Sequence, residues 1–393
     1  RSVLVGIDVS VALAPALSGV GFHIIRLVEQ LDRVAPTDWS FKLFYPVRRD
    51  STQEEEARSR FSEFSARTQF VGVPFLVPRL ALANELYSRG TLPWAIRRAG
   101  CDVFHGPAHS IPRVKGTPTV VTIHDLAFFE IDIYDAAFSR VLRDLVSWSI
   151  RHATRVIAVS EHTRRHITHR IGRDAGVEVI YGAGNYALPA DVGSKPGDTG
   201  ILAGIGVDRP YVLYVGDFNP RKNLPYLITS FARLKHLKSF EDVQLVLGGN
   251  SSKAAESMDQ QRQTLGLSPR DVILSGKVSD ELLKVIYRNA STFALCSVME
   301  GFTLVTLEAM SYGIPVVATN TSSIAEGTGD AAELVPLDSP DDVARALATA
   351  LTPSRRRDEM RRLGLERIRN FSWEGAARRT LRIYSEAASS RIR

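Results

Sequence analysis

Short runs rich in β-branched and aromatic residues alternate with helical stretches along the chain. This alternation is typical of parallel sheets that are built from β–α–β units. The strands predicted in the first half span residues 3–9, 41–45, 68–73, 102–106, 118–124, 155–160 and 177–182. Those predicted in the second half span residues 211–216, 244–249, 271–276, 292–296 and 315–319. The pattern therefore predicts an α/β fold with doubly wound parallel sheets.

Helical periodicity appears between these strands. The clearest predicted helices span residues 138–152, 161–171, 280–289 and 304–312. Ser160 is expected to cap the second of them. The chain closes with helical sequence from residue 340 to about residue 389, interrupted near NFSWEG.

The length of 393 residues is too great for one ordinary domain and favours two. Residues 186–210 are rich in Gly, Pro and Asp and show no period, which indicates a linker. We expect an N-terminal domain at residues 1–190 and a C-terminal domain at residues 205–372. Two such domains would face a cleft, and open α/β sheets bind ligands at the carboxyl ends of their strands.

The composition argues against several classes of protein. A hydrophobic content of 44% with 23% charged residues is ordinary for a soluble globular protein and unlike disordered or fibrous chains. The chain has no apolar run near the roughly 20 residues that span a bilayer, and its start reads as a strand with no signal peptide. We therefore expect a cytoplasmic protein. The net charge of +6 fits anionic small ligands or a membrane face as well as nucleic acid.

The two cysteines, Cys101 and Cys296, are far apart and each is flanked by apolar, strand-like sequence. This placement provides neither a disulfide framework nor the spacing of metal ligands. Buried free thiols are expected.

The stretch EGFTLVTLEAMSYGIPVVATN places Glu300 after a predicted strand and Glu308 inside the helix that follows. The N–H groups near Thr303 to Val305 would have no partner within that helix and would lie at the positive end of its dipole, which suits a phosphate. A nucleotide sugar would use the whole arrangement, with the phosphate on the helix end and a carboxylate on the hydroxyls of each sugar ring. The alternative is an ordinary capped amphipathic helix.

The segment GDFNPRKN also follows a strand and opens a helix, and it presents Arg221 and Lys222 at the start of that helix. Basic residues oppose the helix dipole at that position, so they need another purpose. Neutralising a diphosphate is one such purpose. The alternative is a solvated charged turn.

Two further segments contain candidate site residues at or after the carboxyl ends of predicted strands. In LSGVGFHIIRL, Gly19 and Gly21 precede a helix and could bring the backbone close to a phosphate or an acceptor, although the dinucleotide-binding fingerprint is incomplete. In VVTIHDL, His124 and Asp125 end a strand, where His124 is a candidate site residue and Asp125 could simply cap a turn.

Other histidines are weaker candidates. His105 and His109 follow the strand next to that of His124 and could line the same cleft. The basic run at residues 151–173 carries further histidines on one helical face: His162, His166 and His169. Because no carboxylate or cysteine completes a metal site there, a solvated helix face is the favoured interpretation, with contact to an anionic membrane surface as the alternative. We expect no nucleic-acid partner.

The segments EGFTLVTLEAMSYGIPVVATNTSSIAEGTGDAAELV, GDFNPRKN and TIHDLAFF together resemble the retaining glycosyltransferases of family 4. Weaker agreement runs from LSGVG through AVSEHTRRHI to FSWE, in the expected order over nearly the whole chain. The resemblance implies the GT-B arrangement, in which two Rossmann-like, doubly wound parallel-sheet domains face a cleft. It also implies that a C-terminal helix at residues 373–393 packs back on the N-terminal, acceptor-binding domain.

The resemblance implies a role for each matching residue. Glu308 corresponds to the glutamate that binds ribose, Glu300 to the one beside the donor sugar, and His124 to the histidine that contacts this sugar. Arg221 and Lys222 would hold the diphosphate. The remaining expected donor-binding residues are Phe302, Thr303, Leu304 and Val305 on the helix end, Lys277 and Val278 at the nucleobase, and Gly19 and Gly21 of the glycine loop that belongs to the acceptor domain.

Some positions depart from the family pattern. Thr303 and Val305 stand where many members have Gly and Pro, which could reshape the sugar pocket. Asp217 stands where some members have a basic residue, and IYGAGN at residues 180–185 replaces the usual Asn-Gly-Val turn.

The resemblance implies a retaining transfer of a hexose from a nucleoside diphosphate sugar to a glycan or lipid-linked acceptor in polysaccharide biosynthesis. GDP-mannose is the first expected donor, because TIHDL is frequent among bacterial mannosyltransferases. No metal or other cofactor is expected, and peripheral contact with the inner membrane face stays open. A catalytically silent GT-B protein that binds sugar nucleotides or serves as a scaffold is the alternative. A Rossmann-type oxidoreductase would need a complete glycine fingerprint with an acidic ribose partner, which the sequence lacks.

Overall fold

The structure is a computed structural model that describes residues 2–14, 17–47, 55, 58–61, 64–74, 90–185, 192–249, 252–276 and 278–390. The chain divides into two compact units. The first unit comprises Arg1–Gly182 and Ser372–Arg393, and the second comprises Ala183–Phe371.

The first unit contains a seven-stranded parallel sheet with the strand order β3-β2-β1-β4-β5-β6-β7. Its strands are β1 (Val3–Asp8), β2 (Trp39–Val47), β3 (Thr68–Pro74), β4 (Val103–Gly106), β5 (Thr119–Ile123), β6 (Arg155–Ala158) and β7 (Val177–Val179). The helices between them are α1 (Gly19–Val34), α2 (Leu92–Ala99), α3 (Ala136–His152) and α4 (Glu161–Ile171).

The second unit contains a six-stranded parallel sheet with the strand order β10-β9-β8-β11-β12-β13. Its strands are β8 (Tyr211–Val215), β9 (Gln244–Gly248), β10 (Val272–Gly276), β11 (Thr292–Leu295), β12 (Val316–Thr319) and β13 (Ala332–Val335). Its helices are α5 (Asp198–Gly204), α6 (Leu224–Lys235), α7 (Ser252–Thr264), α8 (Asp280–Arg288), α9 (Leu304–Ser311), α10 (Ile324–Thr328), α11 (Pro340–Leu351) and α12 (Arg355–Arg367).

The last helix, α13 (Trp373–Ser389), belongs to the first unit and packs against α1. Its buried side chains include Leu381, Ile383 and Tyr384, which join the core cluster formed by β1, β2 and α1. Helix α13 therefore contributes to the same hydrophobic core as β1, β2 and α1.

Short polar side chains define where many helices begin. The hydroxyl or carboxylate before the first helical residue accepts an N–H bond of the first turn in α1, α3, α4, α8, α11, α12 and α13. Each such bond satisfies an N–H group that has no partner within the helix. The predicted cap at Ser160 is among them and is confirmed, since its Oγ accepts from the Thr163 N–H.

The predicted fold class is confirmed, and each predicted strand is present with ends shifted by a few residues. Three differences arise. Strand β13 was not predicted, because AELV is short and carries Glu333 at its centre. Helix α5 lies inside the predicted linker, where Asp198 binds the Arg288 guanidinium of α8. The closing helical region contains an additional break between α11 and α12.

The interior of both sheets is apolar. All residues of β5 and β9 are buried, as expected for parallel strands whose two faces are covered by helices. Both cysteines are buried and neither forms a disulfide, which agrees with the prediction for them. Among the residues that the structure describes, no helix combines the length and the apolar character that a membrane span requires.

Candidate active site

Glu300 lies in the loop between β11 and α9 and is almost completely buried, with 4% of its surface exposed. Three side chains hold its carboxylate. Arg221 Nη1 donates to Oε2 at 2.6 Å, Lys222 Nζ donates to Oε1 at 2.6 Å, and Ser297 Oγ donates to Oε1 at 2.6 Å. The two cations and the carboxylate thus form one charged cluster, in which Glu300 and Lys222 are buried and Arg221 is half-buried.

The electrostatics of this cluster keep Glu300 ionised. Burial alone would raise the pKa of the Glu300 carboxyl, because a buried charge loses its hydration. The Lys222 ammonium and the Arg221 guanidinium outweigh that effect and hold the pKa at about 2. A buried carboxylate of this kind is stable only while its cations remain in place.

Arg221 and Lys222 lie in a short 3₁₀ turn, Pro220–Lys222, that follows β8. Asn223 then adopts a left-handed conformation with φ of 54°, and α6 begins after it. The prediction that these cations stand at the start of α6 was therefore wrong. They stand one turn earlier, where Arg221 Nη1 also donates to the Met299 carbonyl at 3.0 Å and the Arg221 carbonyl accepts from the Val298 N–H at 2.8 Å.

Helix α9 begins without a side-chain cap. Thr303 occupies the position before its first residue, but its hydroxyl pairs with Thr306 Oγ1 at 2.8 Å. The Thr303 methyl lies over Gly327, since a Cβ added at Gly327 would stand 2.6 Å from Thr303 Cγ2. The threonine that departs from the family pattern therefore fills space above a glycine.

The other residues predicted around this helix end lie beside it. Phe302 packs on Phe371 with ring centroids 5.4 Å apart, and Leu304 and Val305 are half-buried in the first turn of α9. The first turn carries no acidic residue, which leaves the positive end of the dipole uncompensated by its own side chains.

Glu308, in the second turn of α9, is held from two sides. Its Oε1 accepts from the Asn185 N–H at 3.1 Å, and its Oε2 accepts from the Tyr287 hydroxyl at 3.2 Å. Tyr287 is itself stacked on Tyr312, with ring centroids 5.3 Å apart. Sequence reasoning did not identify Tyr287, Asn185 or Ser297 as site residues, although Asn185 ends the IYGAGN segment that departs from the family pattern.

At the predicted nucleobase loop, β10 ends at Gly276 with a positive φ of 68°. Lys277 lies outside the described residues. Val278 is half-buried and stands just before Ser279, which caps α8.

A group of aromatic rings lies at the carboxyl ends of β4 and β5 in the first unit. The ring of His124 is 4.8 Å from that of His23 and 5.3 Å from that of His109, between centroids. Trp373 of α13 stands 5.0 Å from His23. We call His23, His109, His124 and Trp373 the ring cluster. His23 was not among the predicted residues, although it lies in the quoted glycine segment.

Burial keeps the histidines of this region neutral. It lowers the pKa of His124 to about 4 and that of His23 well below its usual value, and neighbouring histidines add to both shifts. His124 Nε2 lies 2.8 Å from the Pro107 carbonyl, so Nε2 must donate and Nδ1 of the neutral ring is left as an acceptor. The pKa of His109 is also lowered by burial, and its buried Nδ1 has no hydrogen-bond partner among the described residues.

Some predicted site residues have structural roles instead. His105 is completely buried between Tyr384 and Thr122, which bind its two nitrogens at 2.7 and 2.8 Å, so the prediction that it lines a cleft was wrong. Asp125 accepts from the Ala127 N–H at 3.0 Å, which confirms the turn cap.

Gly19 and Gly21 lie inside the first turn of α1, not in a loop before it as predicted. The Gly21 N–H donates to Ser18 Oγ at 3.1 Å. A Cβ at Gly21 would meet the Val11 carbonyl at 3.0 Å, whereas the space beside Gly19 is open. The close approach of the backbone explains Gly21, and only Gly19 remains open to a ligand.

The histidine-rich helix α4 carries ion pairs on its surface. His166 and Arg170 both contact the Glu130 carboxylate, and Arg164 contacts Asp174. Within the described ranges, no group of three or more histidine, cysteine or carboxylate side chains is arranged to hold a metal ion. The sequence PFLVPRLALANELY at residues 74–87 favours a core helix over contact with a lipid acceptor, and from residue 75 onward it lies outside the described residues.

Similar proteins agree with this architecture. The chain is 27% identical to O-antigen chain mannosyltransferase B of Escherichia coli, over 94% of this chain and 96% of that protein. Its fold matches sucrose-phosphate synthase from Thermosynechococcus elongatus with a TM-score of 0.75 at 20% identity, covering 99% and 100% of the two chains. It also matches Anabaena HepE in complex with UDP-glucose, with a TM-score of 0.72 at 17% identity and coverage of 98% and 99%.

The two parallel-sheet α/β units and the likeness to these solved structures show the GT-B fold. Residues 17–183 match the family described as Glycosyltransferase Family 4, and residues 203–367 match the one described as Glycosyl transferases group 1. These two family models together cover most of the chain, so the protein is a glycosyltransferase of the family 4 and group 1 type, and the resemblance of its sequence to family 4 is confirmed.

Proposed function

We propose that this protein transfers mannose from GDP-mannose to a glycan or lipid-linked acceptor, with retention of the anomeric configuration and without a metal ion. The observation that carries the proposal is the charged cluster of Glu300, Arg221 and Lys222 beside the uncapped start of α9. Such a cluster joins two cations to a carboxylate at a strand end, where a diphosphate and a sugar hydroxyl can be bound together.

The diphosphate of the donor would bind Arg221, Lys222 and the start of α9. A guanidinium offers five N–H donors and an ammonium three, so both can bind a diphosphate while they keep their bonds to Glu300. Their charge stabilises the diphosphate as it departs, which is the charge that develops in the transition state. In this proposal the cations supply what a divalent ion supplies in other transferases.

Glu300 would orient the donor sugar and Glu308 would bind the ribose hydroxyls. A carboxylate is suited to a diol because it offers several acceptor sites in one plane. Glu308 accepts an N–H donor and an O–H donor in this structure, which supports the proposal that its carboxylate binds hydroxyl groups. For His124, whose Nδ1 is free to accept, we propose a hydrogen bond from a sugar hydroxyl.

The transfer balances without a separate protein base. The bond between the anomeric carbon and the diphosphate oxygen breaks, and the acceptor oxygen forms a bond to that carbon on the same face. The acceptor proton moves to the departing diphosphate. The protein acts by holding the reactants in place and by stabilising the diphosphate charge.

The choice of mannose is supported by the similarity to the O-antigen chain mannosyltransferase, whose name also supports a glycan acceptor. The cytoplasm, with contact to the inner membrane face, is the location that we propose. No nucleic acid has a place in this function.

The test is a transfer assay with GDP-mannose and a manno-oligosaccharide acceptor, with UDP-glucose as the competing donor, in the presence and absence of EDTA. We expect transfer from GDP-mannose alone, an α-linked product by proton NMR, and no effect of EDTA. A β-linked product would overturn retention, loss of activity in EDTA would overturn metal independence, and preference for UDP-glucose would overturn the donor. Binding of GDP-mannose without transfer would favour the catalytically silent alternative.

A further inference from the structure

The segment TNTSS, residues 319–323, begins at the last residue of β12 and carries hydroxyl groups that bind the neighbouring loop of Glu300. Thr319 Oγ1 donates to the Ser297 carbonyl at 2.8 Å, and Thr321 Oγ1 donates to the same carbonyl at 2.7 Å. Because β11 and β12 are paired in register, the loops that follow them lie side by side. The first two hydroxyls therefore fix the beginning of the Glu300 loop.

The next two hydroxyls bind the backbone of Glu300 itself. The Glu300 N–H donates to Ser322 Oγ at 2.8 Å, and Ser323 Oγ donates to the Glu300 carbonyl at 2.9 Å. Ser323 is completely buried. Glu300 is thus held on both sides of its backbone, independently of the cations that hold its carboxylate.

Ser322 has an unusual backbone conformation, and Ser323 lacks the hydrogen bond that a serine usually makes at its position. Ser322 has a φ of 49°, in the left-handed region that favours glycine. Ser323 stands at the position before α10, where a serine ordinarily caps the helix, yet its side chain makes no cap bond. Such departures from local preference persist where the surrounding structure requires them, and they concentrate at functional sites.

We infer that Ser322 and Ser323 are positioning residues that hold Glu300 in place for glycosyl transfer. The catalytic part of this inference rests on the proposed function. When a diphosphate draws on Arg221 and Lys222, the attraction that these cations exert on Glu300 is shared with it. The backbone bonds from the two serines do not depend on those cations, so they keep the carboxylate where the sugar needs it.

The test compares Ser322→Gly with Ser239→Gly. Ser239 is an exposed serine of the same unit that also has a positive φ, of 78°. Both substitutions place glycine in a backbone conformation that favours it, but only Ser322→Gly removes the bond to Glu300. Ser323→Ala provides a second variant, which removes the donor to the Glu300 carbonyl and no cap of α10.

The first readout needs no ligand. Hydrogen–deuterium exchange on peptides covering residues 297–302 reports the Glu300 N–H. We expect faster exchange there in Ser322→Gly and unchanged exchange in Ser239→Gly. Equal protection in wild type and Ser322→Gly would overturn the proposed role of Ser322, whatever the protein catalyses.

The second readout is whether the substitutions change kcat or the Kd for GDP. With GDP and GDP-mannose as probes, we expect Ser322→Gly and Ser323→Ala to lower kcat about tenfold or more while the Kd for GDP stays within about twofold. A purely structural role would change both, or neither. Wild-type activity that both variants retain would overturn the inference, whereas a wild type that does not bind GDP would overturn the proposed function and leave the exchange result to decide on the serines.

Discussion

Two clusters lie at the carboxyl ends of strands in the two parallel sheets: the charged cluster of Glu300, Arg221 and Lys222, and the ring cluster around His124. Burial has opposite effects on their charges. In the first, a buried carboxyl keeps its charge because two cations contact it, and its pKa falls to about 2. In the second, buried imidazoles lose their charge because burial outweighs the attraction of the Asp125 carboxylate, and the pKa of His124 falls to about 4.

The difference shows what each edge can do chemically. A paired ionic cluster can exchange hydrogen bonds with an incoming anion and stabilise its charge. Neutral imidazoles can donate and accept hydrogen bonds without attracting an anion. The same position in two similar sheets is therefore suited to charge stabilisation in one case and to recognition of hydroxyl groups in the other.

The largest effect is expected from Lys222→Met, which breaks the ionic cluster. Removing one partner of a buried ion pair leaves an uncompensated charge and costs about 3 kcal/mol in the free energy of unfolding. Loss of one charge stabiliser is expected to lower kcat about 10²- to 10³-fold. Denaturant unfolding and donor turnover measure the two effects.

Lys235→Met is the matched control, because Lys235 binds Asp271 at 2.8 Å in the same unit but away from Glu300. It should lose some stability and keep full activity. Full activity in Lys222→Met would contradict the role given to the ionic cluster.

A smaller effect is expected from acid, and it should appear first in the ring cluster. The pKa values of His23, His109 and His124 are lower in the folded chain than the usual 6.5, so the unfolded chain binds more protons as the pH falls below that value. Their contribution to stability is complete above pH 6.5 and is lost as the pH falls towards about 4. For His124 the loss amounts to about 3 kcal/mol. Glu300 loses its contribution only between about pH 4.5 and 2.

Chemical denaturation at several pH values between 7 and 4.5 tests this order. His124→Gln should reduce the dependence of stability on pH in that window. His152→Gln, which changes an exposed histidine of α3, should retain the wild-type dependence. An unchanged slope in His124→Gln would contradict the contribution given to His124.

The smallest effect is expected from Tyr287→Phe, which removes one hydrogen bond to Glu308. The loss of one such bond should cost about 1 kcal/mol of stability and weaken GDP binding about two- to fivefold. Tyr211→Phe removes the hydroxyl that donates to the Ile286 carbonyl at 2.7 Å, so it should show a similar loss of stability with no change in GDP affinity. Equal GDP affinity in the two variants would contradict the binding of the nucleotide by Glu308.

Features that depend on local sequence could be predicted. The strands, the cap at Ser160 and the placement of Glu300 after a strand follow from hydrophobic period and short polar side chains. The two glutamates also stand in one continuous segment, so their proximity to the same helix is readable from spacing.

Features that depend on distant contacts could not be predicted. Lys222 and Glu300 are 78 residues apart in the sequence, and Asp198 of α5 is 90 residues from its partner Arg288. Burial decided the role of His105, which a strand-end position alone did not reveal. Pairing and burial belong to tertiary structure, and they determine which polar side chains are available to a ligand.

The central claim is that the second unit holds a nucleotide sugar at Glu300 and Glu308. The most direct measurement is calorimetric titration of GDP and GDP-mannose into wild type, Glu308→Ala and the control Glu333→Ala, with EDTA present. Glu333 is a half-buried glutamate of the same unit that pairs with Arg356. We predict binding to wild type and to Glu333→Ala, and affinity about tenfold to a hundredfold weaker in Glu308→Ala. Equal affinity in all three proteins, or no binding of either nucleotide to wild type, would contradict the account.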